Sequence, residues 1–453
     1  MDSHESLLAR QQADVFSELL RSSRRLAWSA DRLAAERTAR LRALLQHAAA
    51  RSAGWKERLG DLDPSTATEA DLARLPVLTK TDLTADFDRL VTDPALTWDR
   101  VRTHAERHPD GTYLDGRFRL VASSGTGGTR THHVYDWDEW VALAALTIRW
   151  RRSSGAPDGL MASLYADSPV HISGALHAFF AGAGAAPARL VHLPATLALP
   201  EIVGGLNTAD PDRLQGYPSM VQLLALEAGA GRLRIRPRWV STSGEQCTDA
   251  VRAAVRAAWQ VDVYDVFGCS EGVYAFPCAP GRSMHLPDDL AIVEPVDHHD
   301  QPVPLGRPAH KLLVTSLYRR AQPLIRYELT DATTLSDEPC PCGCAHRRIV
   351  DLRGRSVGAF VYAGGRAVHC MSLATALLAN PAVVEYQVRQ TPRGALVTVA
   401  TNGPCDTGAL GAALALLMRR SGIPDPDVVV RVTDRLDRLW SGKLRQFEPL
   451  GTA

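Results

Sequence analysis

The sequence predicts an α/β protein in two parts: a large, multi-subdomain N-terminal domain with mixed or parallel sheets, and a small α+β C-terminal domain. Three observations lead there. Residues 5 to about 60 read as helix, and from Val121 to about Val350 short β-rich runs alternate with Ala-rich helical stretches. Around Asp351-Leu-Arg-Gly-Arg355 the texture changes, and the remainder interleaves paired strands with helices. A chain of 453 residues exceeds one ordinary domain. With 45% apolar and 22% charged residues it can bury a sizeable core and should not be disordered. The boundary is placed between a domain of residues 1–353 and one of residues 354–453.

The stretch SLLARQQADVFSELLRSSRRLAWSADRLAAERTARLRALLQHAAA is rich in good helix formers, spaces its apolar residues by three and four, and contains no Pro. In LPVLTKTDL (residues 75–83), Thr79 or Thr81 is available to cap a short helix. The runs LMASLYA, ARLVHL, PRWVST, QVDVYDVFG and HKLLVTSL read as strands; their alternation with helical stretches favours largely parallel sheets. Beyond Arg355, FVYAGGRAVH, VVEYQVRQTPRGALVTVAT and VVVRV read as strands around helices near SLATALLA and Ala409–Arg420. No internal repeat is present.

Lys plus Arg number 51 and Asp plus Glu 50, giving +1. That balance argues against holding nucleic acid or anionic lipid by bulk charge. No stretch reaches the ~18 apolar residues of a membrane helix. The start, MDSHESLLARQQADVFSELL, lacks the pattern of a secretory signal. The expected location is the cytoplasm, with neither nucleic acid nor membrane as partner. Of eight cysteines, Cys247, Cys269, Cys278, Cys370 and Cys405 are dispersed, whereas Cys340, Cys342 and Cys344 crowd into five residues. In a chain neither small nor visibly exported, clustered thiols point to metal, catalysis or chance rather than a disulfide framework.

Four segments could carry chemistry. Val121-Ala-Ser-Ser-Gly-Thr-Gly-Gly-Thr-Arg-Thr131 follows a strand-like run, and small residues there let backbone N–H groups wrap a phosphate. It lacks the Gly-Lys-Ser/Thr ending of a Walker loop, and alone it reads more readily as a flexible surface loop. Pro187 disqualifies GAGAAP as a dinucleotide fingerprint. Val263-Tyr-Asp-Val-Phe-Gly-Cys-Ser-Glu-Gly272 ends in a polar turn where Ser270 could donate to a phosphate and Glu271 could hold Mg²⁺ through carboxylate oxygen. A plain strand-end turn is the alternative. In Gln322–Asp331, Asp331 could accept from both hydroxyls of a ribose, or pair with Arg326 at the surface. In Trp440-Ser-Gly-Lys-Leu-Arg-Gln-Phe447, Lys443 could project into a neighbouring site or be simply solvated.

The order of these segments is more telling than any one of them. Ser/Gly/Thr loop, Ser243-Gly244-Glu245, FGCSEG, RYELTD, Gly354-Arg355 and SGKLRQ follow one another as in adenylate-forming enzymes. With LRALLQHAAARSAGWKERL and LPVLTKTDL ahead of them, the chain resembles the phenylacetate–CoA ligase-like branch of that superfamily over roughly residues 40 to 450. The resemblance implies a mobile small domain and an active site between two lobes. There a carboxylate attacks the α-phosphate of ATP, pyrophosphate leaves, and a nucleophile, usually the thiol of coenzyme A, displaces AMP. Carried over, Ser123, Ser124, Gly125, Thr126, Gly127 and Gly128 hold the pyrophosphate end of ATP, while Gly244, Glu245, Asp265 and Phe267 flank adenine. Ser270 contacts the α-phosphate, Glu271 binds Mg²⁺, Asp331 accepts from the ribose with help from Arg355, and Lys443 bridges carboxylate and phosphate.

This chain also departs from that pattern. Gly127 stands where Thr is usual, Thr129-Arg130 where Lys-Pro is common, and Thr330 where glycine usually precedes the ribose Asp. The junction Gly354-Arg355-Ser-Val-Gly lacks the acidic pair that often serves as hinge. These changes are compatible with adenylation and bear on the second half-reaction, so an amine acceptor or nitrite activation for an arylamine diazotase stands as an alternative to coenzyme A. From another class, a nonenzymatic zinc-organised nucleotide-binding protein is the third reading.

Cys278, His285, Cys340 and Cys342 together would make a closed tetrahedral site, since thiolate and imidazole suit Zn²⁺. Cys344 or His346 could substitute for one of them. Such a site would staple the loop after FGCSEG to the loop after RYELTD. Cys269 reads as a wall residue, because adenylation needs no covalent enzyme intermediate. The acid pocket is expected between His171–Phe180, Gly216–Ser219 and Ser241–Gly244, with Tyr217 and Tyr274 among its walls and His171 or His177 meeting a polar substituent. The resemblance favours an aryl or arylacrylic acid over a long fatty acid. Nothing in the sequence fixes an oligomeric state, and a homodimer is compatible with it.

Overall fold

The computed structural model describes residues 4–107, 112–122, 131–165, 171–181, 190–279, 283–355, 360–363, 366–368, 370–380, 382–438 and 444–450. The chain divides into two compact units, Met1–Gly354 and Arg355–Ala453.

The first unit opens on helices His4–Ser23, Ala30–Arg51 and Ala53–Leu59, with a 3₁₀ turn over Arg24–Ala27. The composition reads as one long helix, but two serines break it. Ser29 Oγ accepts from the Arg32 N–H at 3.4 Å and Ser52 Oγ from the Trp55 N–H at 3.1 Å, each capping a fresh helix. Leu41, Leu44, Leu45 and Ala48 then share one face and are fully buried with Trp55. Of the two threonines offered as caps, it is Thr79 that starts Lys80–Ala85, in a reciprocal capping box with Asp82.

A six-stranded sheet follows in the spatial order Leu190–His192, Met161–Leu164, Arg213–Gly216, Trp239–Ser243, Val263–Gly268, Tyr274–Ala275. The first five are parallel and the last is antiparallel. Side chains alternate across a strand, so Leu214, Val240 and Val263 share one face. That face is buried against helices Leu199–Ala209, Pro218–Gly229 and Asp249–Trp259. Gln215, Ser241 and Tyr264 lie on the other face, in register with one another.

Past Ala291 the strands turn antiparallel, so the sheets are mixed: parallel strands dominate the six-stranded sheet and antiparallel ones the two that follow. Ala291–Val296, Lys311–Ser316 and Tyr327–Leu329 form one sheet. Pro308–Ala309, Asp331–Ser336, Arg348–Arg355 and Met284–His285 form another. The physical reason is in the connections: no crossover helix separates these strands, and short links allow only antiparallel neighbours.

In the second unit the hairpin Val383–Thr391/Gly394–Thr401 is flanked by Asp427–Val432 and Phe447–Glu448, each added in parallel. Helices Cys370–Leu378 and Thr407–Arg420 pack on it through Leu373, Leu377, Leu410, Leu414 and Met418. A short hairpin, Phe360–Tyr362/Arg366–Val368, completes the unit. No helix among the described residues is long and apolar enough to cross a membrane.

Candidate active site and metal cluster

Strands Arg119–Ala122 and His132–Tyr135 pair antiparallel, with Ala122 opposite His132 at the end that opens into the Ser/Gly/Thr segment. Ser123, Ser124, Gly125, Thr126, Gly127 and Gly128 themselves lie outside the described residues. The hairpin is joined to a segment some 135 residues further on: the Tyr135 hydroxyl donates to the Ser270 carbonyl at 2.7 Å. The Tyr318 hydroxyl donates to the Gly272 carbonyl at 2.8 Å and Arg319 Nη1 to the Glu271 carbonyl at 3.3 Å. Gly272 has φ +91°, and a Cβ there would strike both tyrosine hydroxyls, so only glycine fits. Three side chains thus fix the backbone carbonyls of the Ser270–Gly272 turn.

Arg319 is fully buried, with its guanidinium 3.8 Å over the Tyr135 ring, Nη2 donating to the Val134 carbonyl at 2.8 Å, and Glu139 at 3.6 Å. The Glu271 carboxylate lies 3.7 Å from His133 Nε2. Burial, against the opposing pull of Glu271, pushes the His133 imidazole down to about 4, so at neutral pH it is an uncharged neighbour. Tyr135, Tyr318, Arg319 and His133 were not marked by sequence reasoning. The available signal was the polar and aromatic alternation in His132-His-Val-Tyr135 and the Tyr318-Arg319 pair directly after a strand.

Asp331 opens strand Asp331–Ser336, and it reaches the same turn electrostatically. Burial, then the charges of Glu271 and, further off, Asp331, raise the Cys269 thiol well above its usual range. Cys269 is therefore a protonated thiol beside Ser270, not an activated nucleophile. Arg326 does not pair with Asp331: it is buried, lies 3.2 Å from Glu294, and donates to the Leu75 carbonyl. Leu78 of the Pro-Val-Leu-Thr-Lys stretch pairs alongside, its N–H on the Arg326 carbonyl and its carbonyl on the Glu328 N–H, both at 3.0 Å.

Gly244 has φ +83° at the end of strand Trp239–Ser243, and Glu245 Oε2 accepts from the Ser219 N–H at 3.1 Å. Asp265 accepts from the Thr242 hydroxyl at 2.7 Å, with burial raising its carboxyl to about 6; Phe267, two residues on, is also buried. Arg355 ends strand Arg348–Arg355, and its side chain lies outside the described residues. Lys443 is outside them as well.

The pocket residues divide. Tyr217 is buried at the start of helix Pro218–Gly229, edge-on to Tyr165 at 5.0 Å, and the Tyr165 hydroxyl bonds Ser243 Oγ at 2.8 Å. His171 pairs beside Ala122 and its Nδ1 meets Ser173 Oγ at 2.9 Å, so it borders the hairpin. Tyr274 lies against Gly268 and stacks on Phe276 at 5.8 Å. His177 instead packs on His192, 4.3 Å between centroids, at the edge strand of the sheet. That edge is four strand spacings from Val263–Gly268, roughly 19 Å.

The second cluster stands just past the turn. Cys278 Sγ, His285, Cys340 Sγ and Cys342 Sγ all lie within 4.8 Å of one another. Cys278 and Cys340 sulfurs are 3.6 Å apart, and Cys342 Sγ is 3.3 Å from His285 Nε2. Two thiolates at ~2.3 Å from a tetrahedral centre would sit ~3.8 Å apart, so the set has the dimensions of a Zn²⁺ site. The surroundings fit too. His285 Nδ1 meets the His346 carbonyl at 2.9 Å, which turns Nε2 inward as the ligand atom, and the Cys344 N–H donates to Cys342 Sγ at 3.4 Å.

His346 supports the cluster without joining it, its Nδ1 lying between the Leu286 carbonyl and the Asp288 N–H. Trp150 stacks on the His285 ring at 5.5 Å. Next to Trp150, Arg149 and Asp289 form a fully buried two-point pair at 2.7 and 2.9 Å. Burial alone would raise the Asp289 carboxyl; the Arg149 guanidinium outweighs it and holds the group well below the usual carboxylate range.

No protein-family model matches the chain. Among curated proteins, phenylacetate–coenzyme A ligase of Thermus thermophilus is 27% identical over 343 residues, covering 72% of this chain and 70% of that protein. The Escherichia coli K12 protein of the same name is 26% identical over 338 residues, 68% of each. A crystal structure of 2-hydroxyisobutyryl-CoA ligase, in the postadenylation state with 2-HIB-AMP, superposes with a TM-score of 0.70 at 20% identity over 94% of this chain and 91% of that one. Anthranilate CoA ligase with anthranoyl-AMP gives 0.50 at 16% identity over 72% and 65%. These findings bear out the α/β fold class and the resemblance to the phenylacetate–CoA ligase-like branch of the adenylate-forming enzymes.

Proposed function

We propose that the protein is an AMP-forming ligase that joins a small, aromatic carboxylic acid to AMP and passes the acyl group to coenzyme A. One observation carries the reading: Tyr135, Tyr318 and Arg319 lock the Ser270–Gly272 turn onto the hairpin that brackets the Ser/Gly/Thr run. That proximity of two segments remote in the chain, each of a composition suited to phosphate, supports their serving one ligand. The similarity of more than two thirds of the chain to phenylacetate–coenzyme A ligases supports the same conclusion.

Adenylation has to overcome charge. Two unit negative charges ~4 Å apart repel by roughly 4 kcal/mol at an effective dielectric constant of ~20. Backbone N–H groups of Ser123–Gly128 hold the pyrophosphate end, and the Ser270 hydroxyl donates to the α-phosphate. Glu271 holds Mg²⁺, which supplies positive charge at the phosphates; the neutral His133 beside it does not compete with the cation. Asp331 accepts from the ribose, helped by Arg355, and Gly244, Glu245, Asp265 and Phe267 flank adenine. Lys443 bridges the incoming carboxylate and the phosphate, where a preorganised cation acts most in the transition state. His171, Tyr217 and Tyr274 border the acid. Cys278, His285, Cys340 and Cys342 hold a structural Zn²⁺, since four protein ligands leave no open position for substrate.

The acceptor is tested by products. Incubation with ATP, Mg²⁺, coenzyme A and a panel of aryl acids is expected to yield AMP and the acyl thioester by mass spectrometry. Acyl-adenylate accumulating without thioester and consumed on addition of an amine, or pyrophosphate released with nitrite in place of the acid and an added arylamine converted to its diazonium, would move the reading to the alternatives that the Gly354-Arg355-Ser-Val-Gly junction leaves open.

A further inference from the structure

Strand Val383–Thr391 turns its two faces to different tasks. Tyr386 and Val388 belong to the core shared with helices Cys370–Leu378 and Thr407–Arg420. Successive side chains point to opposite faces, so Glu385, Gln387 and Arg389 share the other one. A bulge between Val383 and Glu385 lets Val383 join the core as well and aims Glu385 away from it.

A polar row on an outer strand face is ordinarily solvated. Here each member grips one stretch of chain beyond Val432. Arg438 Nη2 donates to Glu385 Oε1, Gln387 Nε2 to the Arg445 carbonyl at 3.1 Å, and Arg389 Nε to Glu448 Oε2 at 2.7 Å. Between these contacts the Val388 N–H donates to the Gln446 carbonyl at 2.7 Å, where Phe447–Glu448 joins the sheet.

The first contact differs in kind. The Glu385 and Arg438 side chains are 4% and 5% exposed, whereas Arg389 is 61% exposed. An ion pair withdrawn from water gives little net stability, and apolar side chains of similar volume would hold the sheet as well. What the charged pair adds is a fixed direction of approach. Arg438 and Leu444 pair with each other as an antiparallel bridge, and the sequence between them, 439–443, ends on Lys443. Both flanks of the lysine are thus tied to one strand: Arg438 by Glu385, and the Leu444 side by Gln387 and the Val388 N–H. Such a hold matters for chemistry, because a displacement of ~1 Å at a reacting group can cost roughly 10²-fold in rate.

We infer that Glu385 is a positioning residue for adenylation: through Arg438 it fixes the stretch that delivers Lys443 to the carboxylate and the phosphate. The inference rests on the proposed ligase reading for what Lys443 does. Glu385→Gln keeps the shape and removes the charge. Adenylate formation from labelled ATP is measured in single turnovers of the full chain, using whichever of benzoate, phenylacetate and cinnamate reacts fastest. Four proteins complete the cycle: wild type, Glu385→Gln, Lys443→Ala and the double variant. Hydrogen exchange by mass spectrometry is followed in the same four over residues 436–448 and over the two helices.

Glu385→Gln is expected to slow adenylate formation roughly 10–100-fold, with half-saturation by ATP within about two-fold of wild type. Added to Lys443→Ala, it should slow the reaction less than about three-fold further. A residue that acts through the lysine costs little once the lysine is gone, whereas a merely structural one costs the same in both backgrounds. Hydrogen exchange should quicken ~10-fold over 436–448 and stay unchanged over the helices. Should Glu385→Gln not fold, Glu385→Asp and Arg438→Lys take its place, each expected to slow the reaction at least about three-fold with Lys443 present and less than about two-fold without it. Equal losses in both backgrounds, or unaltered hydrogen exchange over 436–448, would overturn the assignment. If no acid forms an adenylate in the wild type while 436–448 loosens as expected, Glu385 keeps its hold on the segment and the ligase reading falls. Acid-dependent adenylate formation undiminished in Glu385→Gln overturns the role of Glu385 and leaves the ligase reading standing.

Discussion

Glu271→Gln is expected to lower acid-dependent pyrophosphate exchange by roughly 10²–10³-fold, the loss typical of one preorganised electrostatic group. The substitution keeps the shape and removes the charge. The turn itself should survive, because Tyr135, Tyr318 and Arg319 hold the backbone carbonyls of Ser270, Gly272 and Glu271 rather than the carboxylate. The defect should therefore appear with the thermal midpoint nearly unchanged. Hard cations prefer ionised oxygen, so the Mg²⁺ concentration for half-maximal rate should rise several-fold. A magnesium titration of exchange rates in both proteins reads this directly. An unaltered rate and an unaltered magnesium requirement would remove Glu271 from the metal.

Cys342→Ser is expected to drop bound zinc from about one per chain to a small fraction of that and to destabilise the first unit. The cluster ties the segment after the Ser270–Gly272 turn to the segment after strand Asp331–Ser336. Both proposed metal and ribose contacts depend on what it holds in place. Losing a structural metal removes binding energy that is also folding energy. A loss of ~3 kcal/mol in a unit of this size would lower the melting midpoint by about 4 °C. A chelator should reproduce the shift in the wild type and have little further effect on the variant. Metal analysis finding far less than one zinc per chain in the unmodified protein would sink the assignment.

The ordered segments were legible because their chemistry is local: a Gly/Ser run, a Ser-Glu turn and an Asp at a strand start each show in a few consecutive residues. The Cys/His cluster was legible for a similar reason, since thiols crowd conspicuously in Cys340-Pro-Cys-Gly-Cys344 and the structure brings Cys278 and His285 to them. What could not be read is what tertiary contact decides. Arg319 looks like one of two exposed arginines in Tyr318-Arg-Arg320, yet it is fully buried, and only the fold shows that Tyr135 and Glu139 receive it. His177 sits in a segment expected to line the pocket, and helix Ile172–Ala181 carries it to His192 at the sheet edge. The break at Ser29 within a helix-forming composition turns on one hydroxyl, a signal that averaging over a window hides.

The most direct test of the central claim is isotope exchange between pyrophosphate and ATP, measured with and without an aryl acid in the wild type and in Lys443→Ala. Reversible transfer of AMP to a carboxylate predicts exchange only when acid is present, and its near abolition in the variant. Exchange that needs no acid, or that persists undiminished without the lysine, would contradict it.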